Sequence, residues 1–419
     1  MRKRLEKVVD LGARRAWLWR HRGSFGGHAA GKVPRLLVDV SAIIRHDAQT
    51  GIQRVVRAVW SELTRRNGAS FELVPVFASS SHGYCYAAPD FLENKADYGD
   101  PQPVRVARND IFLGLDLTAH LLPKYSRQLR EWRAHGASLH LLVYDLLPIE
   151  RSEWFTAAAV SNFRKWYEFL ATDADQAICI SDHVSRGLRQ ALDAYSLPRM
   201  PEISRIRMGA DIAASRPSKG ICEKAQCVGR KMRSRPTVLM VGTIEPRKGY
   251  EAALSAFDQL WKSRTDAPDL VLVGKAGWKT EAVQQEIRSH SEFGSRLHWL
   301  DGVSDESLCD LYDASRGILM ASRGEGWGLP LVEAAMHRRY VLARDLPVFR
   351  EQALPNVLYF SDDSPYALSR RILDLIQLGE HPAPVPCLPT WSDSVDGLLN
   401  ALGIGGVAGL VESNLRKAS

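Results

Sequence analysis

With 419 residues the chain is long enough for two domains. Its 45% hydrophobic and 25% charged residues are those of an ordinary globular protein, and no apolar run reaches the ~18–20 residues that a bilayer span needs. The formal net charge of +7 is mostly local, because residues 1–22 carry eight Arg or Lys against two acids. The rest of the chain lacks a basic stripe with interleaved aromatics, which excludes nucleic acid as the expected partner.

The arginines that stud residues 1–22 leave no signal-peptide core. Leu5, Val8, Val9, Ala13, Ala16 and Trp17 fall roughly on one helical face. A basic amphipathic helix with tryptophan reads as an anchor on an anionic membrane surface; the other reading of the same residues is a solvated tail. Six cysteines without a CxxC pair or an accompanying histidine cluster point to reduced thiols and a cytoplasmic chain. A peripheral position at the inner membrane follows if the first helix binds lipid.

From residue 35 onward, strand and helix patterns alternate. Buried-strand patterns fall at 35–42, 71–77, 110–116, 139–145 and 176–181, with helical spacing at 50–66, 122–135, 153–171 and 182–194. Residues 212–235 are polar and basic with little apolar periodicity, so they read as a linker or insertion. A second series follows: strands at 237–242, 270–274, 297–300, 317–322 and 340–343, with helices at 249–264, 279–290, 304–314 and 330–338. Helical patterns at 365–378 and 394–402 close the ordered part. The expected fold class is α/β, with two doubly wound Rossmann-like halves. The expected divisions are a basic segment at 1–34, a first half at 35–211, the linker at 212–235, a second half at 236–390, and a final helix and tail at 391–419.

In open α/β sheets ligands bind beyond the carboxyl ends of the strands, and three strand ends in the second half stand out. After the first, Gly242 and Thr243 precede "IEPRKG", where Arg247 and Lys248 lie just ahead of a helix start. A cationic pair beside helix amides suits a phosphate, while the plain alternative is a solvated surface turn. After the second, Gly274, Lys275 and Gly277 lead into Trp278, and glycines there let backbone approach a ligand. The third is "SRGEGWGLPLVEAAMHRR", in which Pro330 suits the first turn of a helix. Glu325 lies in the loop before it and Glu333 about one turn in, surrounded by apolar residues. Carboxylates avoid such surroundings unless paired, so Glu333 either accepts hydroxyls of a ligand or forms a core ion pair with Arg338 or Arg339. Gly324, Gly326 and Gly328 leave backbone N–H groups able to face an oxyanion. Anion-binding turns beside two hydroxyl acceptors point to a nucleotide sugar.

The spacing Glu325-x7-Glu333 resembles the E-x7-E signature of retaining glycosyltransferases of the GT-B fold, family 4. "VGTIEPRKG", "VGKAGW", "WLDGVSDESLCDLYDAS" and "ASRGEGWGLPLVEA" follow in that family's order. "TGIQRVVRA", "YDLLPIERSEWF" and "ICISDHVSRGL" are similar to its N-terminal halves, and the likeness is to mannosyltransferases that build bacterial O-antigens, capsules and exopolysaccharides in particular. The resemblance implies an acceptor domain at 35–211, a nucleotide-sugar donor domain at 236–390, no required cofactor and no metal. It implies that Glu333 binds the ribose hydroxyls, that Glu325 holds the donor sugar, and that Lys248 with Arg247 binds the diphosphate. Gly326, Trp327, Gly328 and Leu329 would contact sugar and phosphates, with Gly242, Thr243 and Lys275 lining the donor site. Gly51 would let backbone approach the diphosphate or acceptor, and Asp145 would face the sugar. The family often has arginine where Thr243 stands and histidine where Tyr144 stands.

The implied reaction is a retaining hexosyl transfer from a nucleotide sugar, GDP-mannose by the likeness, to a glycan or lipid-linked acceptor in surface-polysaccharide assembly. Other donors of the same fold (a UDP-hexose or a GDP-linked deoxyhexose), a nucleotide-sugar epimerase and a non-catalytic partner are the alternatives. A literal DxD at Asp173-Ala174-Asp175 precedes a strand and reads as a turn cap rather than a metal site.

Overall fold

The computed structural model describes residues 33–47, 50–79, 82–93, 101–194, 199–220, 222–379, 381–385 and 388–405. The basic helix read at residues 1–22 lies outside them. Seven strands form the first sheet: β1 (Arg35–Asp39), β2 (Glu72–Ser79), β3 (Gly83–Tyr86), β4 (Ile111–Gly114), β5 (Ser138–Val143), β6 (Gln176–Cys179) and β7 (Glu202–Arg205). They lie in the order β3-β2-β1-β4-β5-β6-β7, parallel throughout except for the antiparallel pair of β2 and β3. Six strands form the second sheet: β8 (Thr237–Val241), β9 (Asp269–Val273), β10 (Leu297–Leu300), β11 (Gly317–Met320), β12 (Tyr340–Arg344) and β13 (Val357–Phe360). Their order is β10-β9-β8-β11-β12-β13, all parallel, which is the doubly wound order of a dinucleotide-binding fold. The two sheets face each other across a cleft.

Burial explains why the central strands are continuously apolar. Leu36, Leu37 and Val38 of β1 are all fully buried. Successive side chains point to opposite faces, so Leu36 and Val38 join one core while Leu37 joins another with Phe112 and Trp132. In the second sheet Val238 and Met240 pack on one face and Leu239 on the other. A parallel sheet with helices on both faces requires this pattern.

β3, β7 and β13 are absent from the sequence reading, and all three are outermost strands. An edge strand has one neighbour and needs no apolar run; β7, for example, keeps Glu202 and Arg205 exposed. The segment at 212–235, read as a linker or insertion, contains helix Glu223–Ser234, which its sequence pattern did not indicate. Its buried face is Ala225, Val228, Gly229 and Met232, at spacings of three, one and three. Two of these four are too small to register as an apolar stripe, yet they let the helix sit close to helix Asp305–Ala314. Lys224 Nζ ties it down by donating to the Trp299 carbonyl at 3.0 Å.

The last described helix, Trp391–Ala401, returns to the first half. A capping box of Thr390 and Asp393 starts it. Trp391 is 1% exposed, and its indole N–H donates to the Asp211 carbonyl at 2.8 Å. Ser394 Oγ accepts from the Gly209 amide at 2.7 Å, and Arg66 reaches Ser392 Oγ at 2.7 Å from helix Gly51–Arg66. The chain thus crosses between halves twice. No helix among the described residues is long and apolar enough to cross a membrane.

Trp391→Ala removes the anchor of this return crossing. It should cost about 3–5 kcal/mol of stability, as buried aromatic truncations do, and lower the melting temperature measured by circular dichroism. An unchanged melting curve would show that the returning helix contributes no stability.

Candidate active site

Both sheets turn the carboxyl ends of their strands toward the cleft. The second sheet's order reverses between β8 and β11, and a cavity of about 370 Å³ opens there. Every residue to which the family resemblance gives a role in the site borders it, while Gly277 and Gly324 do not line it. Gly51 and Asp145 come from the first half. Gly242, Thr243, Arg247, Lys248 and Lys275 follow β8 and β9. Glu325, Gly326, Trp327, Gly328, Leu329 and Glu333 follow β11.

The turn Pro246–Lys248 leads into helix Tyr250–Ser263 through Gly249, whose φ of +73° suits glycine. That turn presents two cations to one carboxylate. Arg247 donates to Glu325 Oε2 at 2.5 Å, and Lys248 Nζ donates to Glu325 Oε1 at 2.5 Å. Ser322 Oγ donates to the same Oε1 at 2.7 Å, while Arg247 also pairs with Glu245 at 2.7 Å. Burial alone would raise the Glu325 carboxyl, but the charges of Arg247 and Lys248 outweigh it and bring it down to about 2. Asp145 faces the same cluster from the first half. Burial pushes its carboxyl up to about 6, against the opposing charge of Arg247. Two carboxyls in one cleft therefore titrate about four pH units apart.

Glu333 is 1% exposed in helix Leu329–Met336. Its ion-pair partner is Arg54, which reaches across from helix Gly51–Arg66, and Tyr312 Oη donates to its other oxygen at 2.7 Å. The core pair with Arg338 or Arg339 is therefore absent: Arg338 donates to the Pro382 carbonyl, and Arg339 to the carbonyls of Asp313 and Ser315. Arg54 also pairs with Asp305 at 2.5 Å. Sequence reasoning missed Arg54 and Asp305, although both stand in quoted motifs, "TGIQRVVRA" and "WLDGVSDESL". Arg54 lies off the apolar face of its helix, where a cation ordinarily faces solvent.

Other contacts also span the cleft. Glu351 caps helix Asp182–Asp193 by accepting from the amides of Asp182 and His183 at 3.0 and 2.8 Å. Trp278 stacks on Phe155 with 6.0 Å between centroids, and its indole N–H donates to the Trp154 carbonyl at 2.8 Å. At Gly326 an added Cβ would overlap the Tyr144 carbonyl oxygen, so only glycine lets the two halves approach this closely.

Some expectations change. Gly274 and Gly277 serve the approach of neighbouring backbone: a Cβ on either would strike the carbonyl of Gly242 or Ile244. The Tyr144 hydroxyl turns inward to the Leu115 carbonyl at 2.7 Å and makes no cleft contact of its own. In the DxD stretch Asp173 pairs with Arg130 at 2.6 Å, while Asp175 accepts from the Leu139 amide at 2.8 Å and from Arg199 at 2.7 Å. Among the described residues no group of three or more His, Cys, Asp or Glu is placed to hold a metal ion.

Two facing Rossmann-like halves with a charged cleft define a GT-B architecture. Residues 227–384 match the family model described as "Glycosyl transferases group 1". The chain belongs to this family of GT-B glycosyltransferases, family 4, and is related to mannosyltransferases of bacterial O-antigen and capsule assembly. It is 37% identical over 394 residues to the serotype-specific mannosyltransferase WbdA of Escherichia coli, a match covering 91% of this chain and 46% of that protein. The chain thus spans about half the length of the curated relatives it matches most fully. Among solved structures, HepE of Anabaena in complex with UDP and glucose shares the fold with a TM-score of 0.58 at 15% identity, covering 89% of this chain and 97% of that one. Sucrose-phosphate synthase of Thermosynechococcus elongatus has a TM-score of 0.57 at 18% identity, covering 93% and 100%.

Gly326→Ala tests the close approach. The added methyl must push the loop off Tyr144, so nucleotide affinity should fall at least tenfold, or about 1.4 kcal/mol, while the circular-dichroism spectrum is unchanged. Wild-type affinity in this variant would show that the approach is dispensable.

Proposed function

We propose that the chain transfers a hexosyl group from a nucleoside diphosphate sugar, UDP- or GDP-linked, to a hydroxyl of a glycan or lipid-linked acceptor. The observation that carries this reading is the Arg247–Glu325–Lys248 cluster at the switch point of the second sheet, with Glu333 lining the same cavity. Mannose is the sugar this reading favours, with GDP as its carrier, because WbdA, a mannosyltransferase, is 37% identical over nearly the whole chain. A UDP-linked hexose is the second reading, prompted by the fold shared with HepE, which was solved with UDP and glucose.

Lys248 gives one of its three N–H donors to Glu325. The other two suit oxygens of a diphosphate, and Lys275 adds a second cation on the cavity wall. As the C1–O bond lengthens, negative charge grows on the leaving diphosphate, where Lys248 stabilises it. Positive charge grows on the sugar, and the ionised form of Asp145 faces it. The acceptor hydroxyl attacks from the side the leaving group vacates, keeping anomeric configuration, and passes its proton to a departing phosphate oxygen. In this reading Glu325 fixes both cations beside the sugar, and Glu333 accepts hydroxyls of the ribose. A double displacement would instead need a carboxylate against C1, and Asp145 is the residue placed for it.

Incubation with GDP-mannose, UDP-glucose and a GDP-linked deoxyhexose, each with and without a lipid-linked oligosaccharide acceptor, tests the reaction. Transfer from GDP-mannose is expected. Turnover of donor without acceptor into a free sugar epimer would favour an epimerase, and no turnover of any donor would overturn the proposal.

Asp145 sets the pH dependence. Its folded-state carboxyl titrates near 6, above its ordinary 3.8. Its contribution to stability is full below 3.8 and is lost as pH rises through about 6, so the ionised form used in turnover is the less stable one. Glu325 is the reverse: its contribution is full above 4.5 and lost only as pH falls toward about 2. Turnover should therefore rise with pH through about 6 with Glu325 ionised throughout. Asp145→Asn should abolish that rise and lower kcat by about 100-fold; an unchanged profile would remove Asp145 from the mechanism.

A further inference from the structure

Arg54 is the functional-site residue for which neither the sequence motifs nor the family signature supplies a role. The Thr50 cap, whose Oγ accepts from the Gln53 amide at 3.4 Å, fixes the start of helix Gly51–Arg66. Arg54 then leaves the first turn on the cleft side, while Val55, Val56 and Val59 enter the core. Its side chain is 12% exposed, yet it ends among carboxylates of the opposite half. One terminal nitrogen pairs with Glu333, and the other donates to Asp305 Oδ1 at 2.5 Å.

Both carboxylates are held from their own side as well. Tyr312 Oη donates to Glu333 Oε2, and Asp305 Oδ2 accepts from the Ser218 amide and hydroxyl at 2.8 and 2.9 Å. Arg54 is therefore the mobile member of the group in any opening of the cleft. When it withdraws, two buried anions lose their counter-ion, and an uncompensated buried charge is strongly disfavoured. Unpaired, they would also repel an incoming diphosphate. Glu333 keeps lone pairs beyond those taken by Arg54 and Tyr312, since each carboxylate oxygen accepts two hydrogen bonds. Arg54 Nε is buried with no partner among the described residues, which leaves a donor for an oxygen that a ligand brings.

We infer that Arg54 is a positioning residue for the donor, acting across the cleft: it neutralises Glu333 and Asp305, aims Glu333 at the nucleoside hydroxyls, and makes donor affinity depend on a closed cleft. This role rests on the proposed donor site and deepens it, because it assigns part of nucleotide recognition to the first half of the chain. A purely structural ion pair would affect stability alone. A positioning role shows in donor affinity, and most strongly while Glu333 is present to be positioned.

The test is calorimetric binding of GDP and of UDP to the full chain, with steady-state kinetics on the donor it uses, for wild type, Arg54→Gln, Arg54→Lys, Glu333→Gln and the double variant Arg54→Gln/Glu333→Gln. Arg54→Gln should weaken the nucleotide that wild type binds by about tenfold or more. The donor KM should rise in parallel while kcat stays within about threefold. Arg54→Lys keeps the charge but cannot bridge both carboxylates, so it should recover part of the affinity. It also carries the test if Arg54→Gln does not fold. The double variant should lose less than the product of the two single losses, because part of what Arg54 does acts through Glu333. Wild-type affinity in Arg54→Gln, or in Arg54→Lys if that is the folded variant, would overturn the role, as would multiplicative losses in the double variant. If wild type binds neither GDP nor UDP, the donor reading falls and takes this role with it. If wild type binds and both Arg54 variants match it, only the role of Arg54 falls.

Discussion

The site depends on one carboxylate shared by two cations. Glu325 binds Arg247 through one oxygen and Lys248 through the other. None of the three charges would be stable at this depth alone. Together they hold the turn after β8 against the loop after β11, at the point where the second sheet's order reverses. The opposite wall adds the carboxyl of Asp145, which burial pushes up to about 6, while Arg247 and Lys248 draw Glu325 down to about 2. Carboxyls shifted in opposite directions within one cleft are common at sites that handle charge in a ligand.

The cleft is closed by polar contacts rather than by apolar packing alone. Arg54 with Glu333 and Asp305, Glu351 with the amides of Asp182 and His183, and Trp278 with the Trp154 carbonyl each join one half to the other. The two neutral-donor contacts can be exchanged for bonds to a ligand or water at modest net cost, whereas the Arg54 pairs are costly to break unless a ligand replaces them. Gly326 adds a steric condition, since only a residue without Cβ permits the Tyr144 backbone to come so near. The C-terminal helix Trp391–Ala401 packs on the first half, so a second crossing of the chain joins the halves apart from those contacts.

Much of this could be read in the sequence, for identifiable reasons. Central strands of parallel sheets are buried on both faces, so their continuous apolar runs stand out, and the alternation with helical patterns gave the two doubly wound halves. The edge strands β7 and β13 were invisible because they bury little, and β3 because its four residues, Gly83–Tyr86, are too few to show a pattern. Helix Glu223–Ser234 was hidden by a contact face half made of Ala225 and Gly229. The apolar surroundings of Glu333 correctly signalled a missing partner, but the partner is 279 residues away, at Arg54. Pairings over that distance leave no periodicity to read. Glycines at 274 and 277 were legible as points of close approach, though what approaches them is the neighbouring turn.

The central claim is that a nucleoside diphosphate sugar occupies the cleft and is held from both halves. Hydrogen-exchange mass spectrometry of the full chain, with and without saturating GDP-mannose or UDP-glucose, tests it most directly. The account predicts slowed exchange in three separate stretches, 50–56, 242–250 and 322–336, with one of the two donors. Protection confined to the second half, or absent from all three stretches with both donors, would contradict it.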